Sequence, residues 1–224
     1  MQLKASSATI LALAATSMEM EPFLAKTAAR HPSLVTGVGP AETTFRLCRY
    51  LEQKKEPLAG VFFFGTGGAY AHAGPGMLDA CVATSEIFGD VGRCQGDEIE
   101  LFHDPRLTGP TFFSLDRFFV RCVMDVCAEE GAQVYAGPFV TVSCASASRA
   151  RGDFLRKAHD AIVENMEGAA AARVCLEYAL PFVELRVVSN MVDGSPKTAW
   201  RLEDACAKAA RLAAVCIKRL VRQS

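Results

Sequence analysis

Residues 61–68 read Val-Phe-Phe-Phe-Gly-Thr-Gly-Gly, a short apolar run that leads into a glycine-rich stop. A continuous apolar run is typical of a parallel strand that is buried on both faces. The glycines permit a tight turn and a close approach of the backbone to a ligand. They have neither the Lys-Ser/Thr ending of a P-loop nor the spacing of a dinucleotide-binding motif. We therefore expect a buried strand that ends in a tight turn at Gly65.

Strand-like and helix-like segments alternate on both sides of this run. Further short apolar runs, each of which predicts a strand, occupy residues 8–15, 33–39, 139–143 and 182–188. Helical patterns follow Pro40 and cover residues 158–179 and 200–221. Such alternation predicts an α/β fold with helices packed on both faces of a largely parallel sheet. No linker or repeat interrupts it, so residues 1–224 are expected to form one domain.

The composition is that of a globular protein without a polyanionic partner. Of the 224 residues, 50% are hydrophobic and 22% are charged, which suffices for one substantial core. The 24 basic and 25 acidic residues give a formal net charge of -1, which argues against nucleic acid as a partner. No apolar stretch reaches the ~20 residues that a membrane span needs, so no membrane association is expected.

The nine cysteines are spread along the chain, and no pair has C-x-x-C spacing. This pattern predicts neither a disulfide framework nor a zinc site, and it is typical of a reducing compartment. We therefore expect a cytoplasmic protein without a bound metal. Lys4 and the apolar residues 8–15 imitate a secretory signal peptide. The free cysteines and the polar residues just after this run favour a buried first strand instead.

Four segments combine the end of a strand or the start of a helix with small or polar residues. They are residues 16–22, 65–70, 164–168 and 189–194. Ligands of open α/β sheets gather at the carboxyl ends of the strands, so we expect these segments to meet at one site. Glutamates lie in two of them: Glu19, Glu21, Glu164 and Glu167. Each alone could be a surface charge, or a first-turn acid worth ~0.3–1 kcal/mol through the helix dipole.

The combination of these segments resembles the purine nucleoside phosphorylase/nucleosidase superfamily. The similarity covers nearly the whole chain and is carried by residues 14–21, 36–40, 65–69, 165–170 and 186–190. Its most specific parts are the Met-Glu-Gly-Ala-Ala stretch after Asn165 and the pair Ser189-Asn190 at a strand end. Within the superfamily, the chain is most similar to the futalosine hydrolases, which are related to the methylthioadenosine/S-adenosylhomocysteine nucleosidases.

This resemblance implies a fold, a reaction and an assembly. The fold is a three-layer α/β sandwich with a central mixed, largely parallel sheet. The reaction is hydrolysis of the N-glycosidic bond of futalosine, which releases hypoxanthine and dehypoxanthine futalosine in menaquinone biosynthesis. It needs no cofactor, and we expect a homodimer that binds a small-molecule nucleoside. The alternatives are an adenine-specific nucleosidase for methylthioadenosine, S-adenosylhomocysteine or aminofutalosine, a purine nucleoside phosphorylase, and a non-catalytic nucleoside-binding protein of the same fold.

The resemblance also implies roles for individual residues. Glu21 matches the acid that deprotonates the attacking water, and Glu167 matches the carboxylate that binds the ribose hydroxyls. Met166 is expected to pack beneath the sugar, and Thr66, with Gly67 beside it, to lie near the sugar and the water. These residue types suit the chemistry, because cleavage of a ribosyl C–N bond passes through a cationic, oxocarbenium-like transition state that a carboxylate stabilises.

Two asparagines bear on the identity of the base. Adenine-cleaving relatives carry Asp at the position of Asn190, which faces the purine N7 and six-position substituent, and a further acid at the position of Asn165. An amide can donate a hydrogen bond to a six-oxo group, so Asn190 favours hypoxanthine over adenine. Residues 144–148 lack the aromatic side chain that stacks on the purine in the nucleosidases. Arg106 and Arg117 are candidates to meet the carboxylate of the futalosine tail.

Overall fold

The computed structural model describes residues 9–54, 56–104 and 106–223. The strands are β1 (Ile10–Ala14), β2 (Ser33–Val35), β3 (Gly60–Tyr70), β4 (Ala80–Phe88), β5 (Gly92–Gln95), β6 (Glu98–Leu101), β7 (Phe112–Ser114), β8 (Val134–Thr141), β9 (Val163–Asn165) and β10 (Phe182–Val192). The helices are α1 (Ser17–Thr27), α2 (Pro40–Gln53), α3 (Arg117–Glu129), α4 (Arg149–His159), α5 (Gly168–Glu177) and α6 (Leu202–Gln223), and a short 3-10 helix spans Lys197–Ala199. None of the helices in these ranges is long and apolar enough to cross a membrane.

Eight strands form one mixed sheet with the order β10-β4-β8-β9-β3-β1-β2, and β7 pairs with β4. The pairs β1–β2, β1–β3, β3–β10, β4–β8 and β8–β9 are parallel, whereas β3–β9, β4–β10 and β4–β7 are antiparallel. The α/β class and the mixed, largely parallel sheet are therefore confirmed. The expected three-layer sandwich needs correction, because β3 also pairs with β10 and closes five strands into a barrel that β1 and β2 extend.

The long strand β3 is buried on both faces, which explains its continuous apolar run. Phe62 and Phe64 belong to a core cluster that includes side chains of α1, α3 and α6. Val61 and Phe63 belong to a second cluster, which includes side chains of α2 and α5. Alternate residues of a strand point to opposite faces, so one apolar run supplies both clusters.

Two local predictions at the N-terminal half of the chain are tested by the structure. The buried strand β1 confirms that the apolar run near the N-terminus is a strand of the sheet. Lys4 and Ala8 lie outside the described residues. The glycines after Phe64 do not end β3, because the strand continues to Tyr70. Pairing with β10 and β9 extends it, since residues on both neighbours remain available for hydrogen bonds beyond Gly65.

The helix expected over residues 158–179 is wrong, because the structure divides this segment. Helix α4 ends at His159, and its C-cap residue Asp160 has a left-handed conformation at φ 50° and donates its N–H to Arg156 O. Residues Val163–Asn165 then form strand β9, which pairs with β3 and β8. Helix α5 then begins at Gly168, with Glu167 as its N-cap residue. Of the expected helix, residues 158–159 and 168–177 are helical.

Candidate active site

A pocket of about 230 Å³ opens where β1, β3, β9 and β10 end. Its walls combine acids, small residues and a few apolar side chains. The lining residues are Ala15, Thr16, Glu19, Val38, Thr66, Gly67, Gly68, Ala145, Ser146, Glu164, Asn165, Met166, Glu167, Arg186, Ser189, Asn190, Trp200 and Leu202. They come from all four segments that the sequence indicated, so those segments meet as expected.

Glu19 is fixed in the pocket by both of its carboxylate oxygens. Thr16, the N-cap residue of α1, donates to Glu19 Oε2 from its backbone N and from Oγ1, each at 2.9 Å. Glu19 N donates to Thr16 Oγ1 at 3.3 Å, which completes a capping box. The other oxygen, Oε1, accepts from Thr66 N of β3 at 2.9 Å. Glu19 therefore ties the start of α1 to β3, with its carboxylate buried at the pocket wall.

Gly65 is required by this arrangement. A Cβ atom at Gly65 would overlap Glu19 Oε1 and would lie 2.9 Å from a guanidinium nitrogen of Arg186. Because Gly65 has no side chain, the side chains of Glu19 and Arg186 can both lie against β3 at this position. The glycine-rich stretch is explained by close approach of side chains to the backbone rather than by a turn.

Glu167 lies at the start of α5 and faces the same space as Glu19. Its Oε1 accepts from Gly39 N at 3.1 Å, and its Oε2 lies 3.3 Å from a nitrogen of Arg186. Burial raises the pKa of the Glu167 carboxyl, while Arg186 and the Gly39 N–H oppose this change by favouring the charged form. The charge of Glu19 adds to the rise.

Arg186 is fully buried in β10 and organises the acids around it. Its Nε donates to Glu184 Oε1 at 2.7 Å, and another of its nitrogens donates to Thr66 O at 3.2 Å. The guanidinium also lies over the Phe63 ring, 4.6 Å from the centroid. Burial alone would lower the pKa of Arg186, but the charges of Glu184, Glu167 and Glu19 more than reverse this and raise it. Arg186 therefore stays charged and holds Glu167 in place.

A second buried layer holds the first turn of α5. Asn165 Oδ1 accepts from Glu167 N at 2.8 Å and from Gly168 N at 2.7 Å. Asn165 Nδ2 donates to Glu86 Oε1 at 2.5 Å, and Thr141 Oγ1 donates to Glu86 Oε2 at 2.8 Å. Burial and the nearby charge of Glu184 raise the pKa of Glu86 well above its usual range. The position of Glu167 thus depends on Asn165, which in turn is held by Glu86.

Asn190 lies at a register shift between β10 and β3. Val188 pairs with Gly67 and Asn190 with Gly68, so Ser189 is an extra residue. A bulge of this kind re-aims the neighbouring side chain. Ser189 Oγ donates to Asn190 Oδ1 at 2.9 Å, which leaves the amide Nδ2 oriented away from Ser189. Asn190 can therefore present a hydrogen-bond donor to a ligand.

The structure brings six of the seven site residues named from the sequence to this pocket. They are Thr66, Gly67, Asn165, Met166, Glu167 and Asn190. Glu21 is the exception and its placement must be corrected, because it is exposed and does not line the pocket. Glu19, two residues earlier, lines the pocket instead. Two residues along a helix differ by about 200° in direction, so only one of these two acids can face the pocket.

Other pocket residues were missed in the sequence. Arg186 was part of a matching segment, but no role was assigned to it. Trp200 contributes an aromatic side chain to the pocket from the end of the 3-10 helix, and it is distant in sequence from residues 144–148, where the related nucleosidases have their aromatic residue. Arg106 and Arg117 are both exposed and line no part of the pocket, and Arg106 pairs with Asp104. Within the described ranges, no group of three or more potential ligands could hold a metal ion.

The comparisons with known proteins place this arrangement in a family. A family model described as the phosphorylase superfamily matches residues 14–222. The chain belongs to this superfamily. The match spans every element that lines the pocket, from the end of β1 to α6.

Individual relatives include nucleosidases. The chain is 29% identical over 178 residues to a futalosine hydrolase of Thermus thermophilus, which covers 80% of this chain and 77% of that protein. The native structure of futalosine hydrolase of Helicobacter pylori has a TM-score of 0.82 at 18% identity, covering 99% of this chain and 100% of that one. The H. pylori 5'-methylthioadenosine/S-adenosyl homocysteine nucleosidase has a TM-score of 0.83 at 17% identity, covering 95% and 99%. The two structures show that the fold is shared.

Proposed function

We propose that this chain is a futalosine hydrolase, which cleaves the N-glycosidic bond of futalosine with water and releases hypoxanthine and dehypoxanthine futalosine. The observation that carries the proposal is the meeting of Glu19, Glu167 and Asn190 at one pocket. Similarity to a curated futalosine hydrolase over most of the chain supports the choice of substrate. The pocket offers one group for each need of the reaction: a base for water, an anion for the sugar and a donor for the leaving purine.

Glu167 binds the ribose hydroxyls and stabilises the cationic sugar. Its carboxylate lies in a buried site, where a charge acts more strongly than it would in water. Arg186 and the Gly39 N–H each contact one of its two oxygens. The carboxylate is therefore already fixed in place and needs to move little as positive charge develops on the ribose. Met166, the residue before it, lines the pocket and packs beneath the sugar.

Glu19 activates the water. Its oxygens already accept hydrogen bonds from Thr16 and Thr66, and a carboxylate retains further lone pairs for a water molecule. It takes a proton from the water as the oxygen attacks the anomeric carbon, and the C–N electron pair leaves with the purine. The departing purine takes up a proton from solvent, and Glu19 returns its proton to solvent, so hypoxanthine leaves neutral and the base is restored. General-base assistance of this kind contributes roughly 10²–10⁴-fold in rate.

Asn190 receives the base. With Oδ1 held by Ser189, Nδ2 donates to the six-oxo oxygen of hypoxanthine, which stabilises the electrons that the base carries away. A six-amino group would meet this donor with another donor. The adenine-specific alternative is disfavoured for this reason.

A phosphorylase would require a cationic site for phosphate. Among the residues that line the pocket, Arg186 is the one cation, and it is engaged by Glu184 and Glu167. Glu19 lies where the nucleophile must approach, and its charge would repel phosphate. Water is the nucleophile that this charge pattern accepts.

The cellular setting extends the proposal. We infer a cytoplasmic homodimer of single-domain chains that acts in menaquinone biosynthesis without a cofactor. Exposed apolar side chains such as Phe112 and Leu176 are suited to a subunit contact. Light scattering of the purified protein should give twice the mass of the chain, and a monomeric mass at micromolar concentration would contradict the dimer.

The function is tested by base release from futalosine, aminofutalosine, methylthioadenosine and inosine, each with and without phosphate. Hypoxanthine release that is fastest from futalosine and independent of phosphate is expected. Asn190→Asp should shift preference toward aminofutalosine, because a carboxylate accepts from a six-amino group. Adenine release by the wild-type protein, or a strict need for phosphate, would overturn the proposed function.

A further inference from the structure

Glu86 and Glu184 are fully buried acids whose side chains contact each other. Glu86 lies in β4 and Glu184 lies in β10, and neither residue lines the pocket. The reaction steps proposed above make no use of the contact between them. Two buried carboxylates that were both ionised would repel each other, so their surroundings indicate how this pair is held together.

The two carboxyls meet at Gly168, the first residue of α5. A Cβ atom at Gly168 would overlap Glu86 Oε1 and Glu184 Oε2 at the same time. Both oxygens therefore occupy the space that a side chain would fill. Because this residue is a glycine, the two acids can approach each other and the backbone at the start of the helix.

The hydrogen bonds around the pair leave one oxygen without a donor. Glu86 Oε1 accepts from Asn165 Nδ2 at 2.5 Å, and Glu86 Oε2 accepts from Thr141 Oγ1 at 2.8 Å. Glu184 Oε1 accepts from Arg186 Nε at 2.7 Å. Glu184 Oε2 is buried, and no N–H or hydroxyl group in the described part of the chain donates to it. A proton held between the two carboxyls would satisfy this oxygen.

One proton converts the contact between the acids into a hydrogen bond. A protonated carboxyl has an O–H to donate, whereas an ionised carboxyl can only accept. We propose that Glu86 and Glu184 share one proton, and that this acid–carboxylate pair is a positioning device that fixes Glu167 in the pocket. The proton belongs to the pair and not to either residue alone. The inference rests on the proposed function, because Glu167 is the residue proposed to bind the ribose.

The electrostatic surroundings favour one proton and one negative charge on the pair. Burial raises the pKa of Glu86 well above its usual range, and Glu184 raises it further through its charge and a hydrogen bond. The charge of Arg186 beside Glu184 favours one ionised carboxyl. The groups that face the pair include Arg186 of β10, Glu167 of α5, Tyr70 of β3, and the neutral side chains of Thr141 in β8 and Asn165 in β9.

The pair connects two supports of Glu167. On one side, Asn165 is held by Glu86, and its Oδ1 accepts from Glu167 N at 2.8 Å. On the other side, Arg186 is held by Glu184 and lies 3.3 Å from Glu167 Oε2. The proton is retained at low pH and is lost as pH rises through the raised pKa of the pair. Two adjacent carboxylates then repel each other, and movement of either acid displaces a support of Glu167.

Infrared spectroscopy of the unliganded protein tests for the shared proton. At about pH 8, where exposed acids are ionised, the wild-type protein should show a C=O band of a protonated carboxyl that shifts when its glutamates are isotopically labelled. Glu184→Gln should remove one protonated carboxyl from this band, because its amide can donate to Glu86 Oε1 and accept from Arg186 without a shared proton. Glu21→Gln, at an exposed position, is the matched control and should leave the band unchanged.

The pH dependence of kcat tests the link from the pair to Glu167. Hypoxanthine release at saturating futalosine is measured from about pH 6 to 10. Wild-type kcat should fall about tenfold or more at the alkaline end, since a small displacement of a substrate-binding group is costly. Glu184→Gln has no shared proton to lose, so its kcat should fall less than about threefold over the same range. A purely structural role would change the size of kcat but not its pH dependence.

The outcomes separate this inference from the proposed function. Absence of a protonated-carboxyl band in the wild-type protein would overturn the shared proton, and this measurement needs no variant to fold. A band that Glu184→Gln leaves unchanged would overturn it as well. Coincident pH profiles, whether falling or flat, would overturn the link to Glu167. Failure of the wild-type protein to release hypoxanthine from futalosine would refute the proposed function alone, since the infrared spectrum is recorded without turnover.

Discussion

Replacement of Glu19 by Gln tests the central step of the reaction. The carboxylate accepts from Thr16 through Oε2 and from Thr66 through Oε1. An amide has one acceptor oxygen, so in either orientation its NH2 group faces a backbone N–H donor. One buried donor is left unpaired, which costs about 1–3 kcal/mol of unfolding free energy. The variant should fold, with a lower melting temperature.

The effect on activity should exceed the effect on stability. Loss of a general base costs roughly 10²–10⁴-fold in kcat, which is about 2.7–5.4 kcal/mol of transition-state stabilisation. KM for futalosine should change little, because Glu19 acts on water and not on the substrate. This split distinguishes loss of a base from a general loosening of the pocket.

The assay is hypoxanthine release at saturating futalosine, below the melting temperature of each variant. Glu21→Gln serves as the matched control, since it lies two residues away and is exposed, and it should retain wild-type kcat. The reasoning would be refuted if Glu19→Gln kept kcat within about threefold of wild type after correction for the folded fraction. Glu19 would then be a helix-capping residue and no more.

Three further predictions concern the surroundings of the site. Trp200→Ala should raise KM for futalosine by about tenfold with little change in kcat, because an aromatic side chain that lines the pocket contributes to binding rather than to chemistry. Steady-state kinetics measure both constants, and an equally large fall in kcat would contradict the prediction. Gly168→Ala should destabilise the protein severely, since a Cβ there would overlap carboxylate oxygens of Glu86 and Glu184; wild-type stability in urea would show that α5 can shift. Glu86, whose pKa is raised by burial, binds its proton more tightly when folded, so its contribution is complete below its unfolded pKa and is lost as pH rises toward the folded one. Unfolding free energy measured from about pH 5 to 8 should therefore fall less steeply in Glu86→Gln than in wild type, and identical slopes would place the titration elsewhere.

The parts of the fold that could be predicted are those set by local pattern. Strand β1 is a continuous apolar run and helix α6 has a long apolar periodicity, and both occur where they were expected. Strand β9 has three residues, which is too short for a periodicity, and it exists because β3 and β8 supply hydrogen-bond partners on both sides. Closure of the barrel likewise depends on the pairing of β3 with β10, residues that are far apart in the sequence.

The error at Glu21 has a physical cause that was visible in the sequence. Which of Glu19 and Glu21 faces the pocket depends on the residue at which α1 begins. Thr16, followed three residues later by Glu19, is a capping-box signature that marks the start of a helix. That signature places Glu19 in the first turn, beside the end of β1, which is where a ligand of an α/β fold lies. Arg186 had no such signal. An arginine is rarely fully buried unless paired, and its partners Glu184 and Glu167 approach it only in the folded protein.

The charges beneath the pocket explain why this site should favour a cationic transition state. Arg186 is one positive charge among Glu19, Glu167 and Glu184, and Glu86 holds a proton more tightly than an exposed acid. Glu19, Glu167 and Glu184 outnumber the one guanidinium that they surround, so the position proposed for the sugar lies beside an excess of acidic groups and in a negative field. That field attracts an oxocarbenium-like ribose and repels a phosphate dianion, and both effects grow in a buried site. If Arg186 were absent, Glu167 would lose the partner that keeps it ionised, and protonation would remove the charge that the transition state needs. The buried arginine therefore acts on the reaction through the acids it holds, and one guanidinium among three carboxylates leaves the excess negative charge in place.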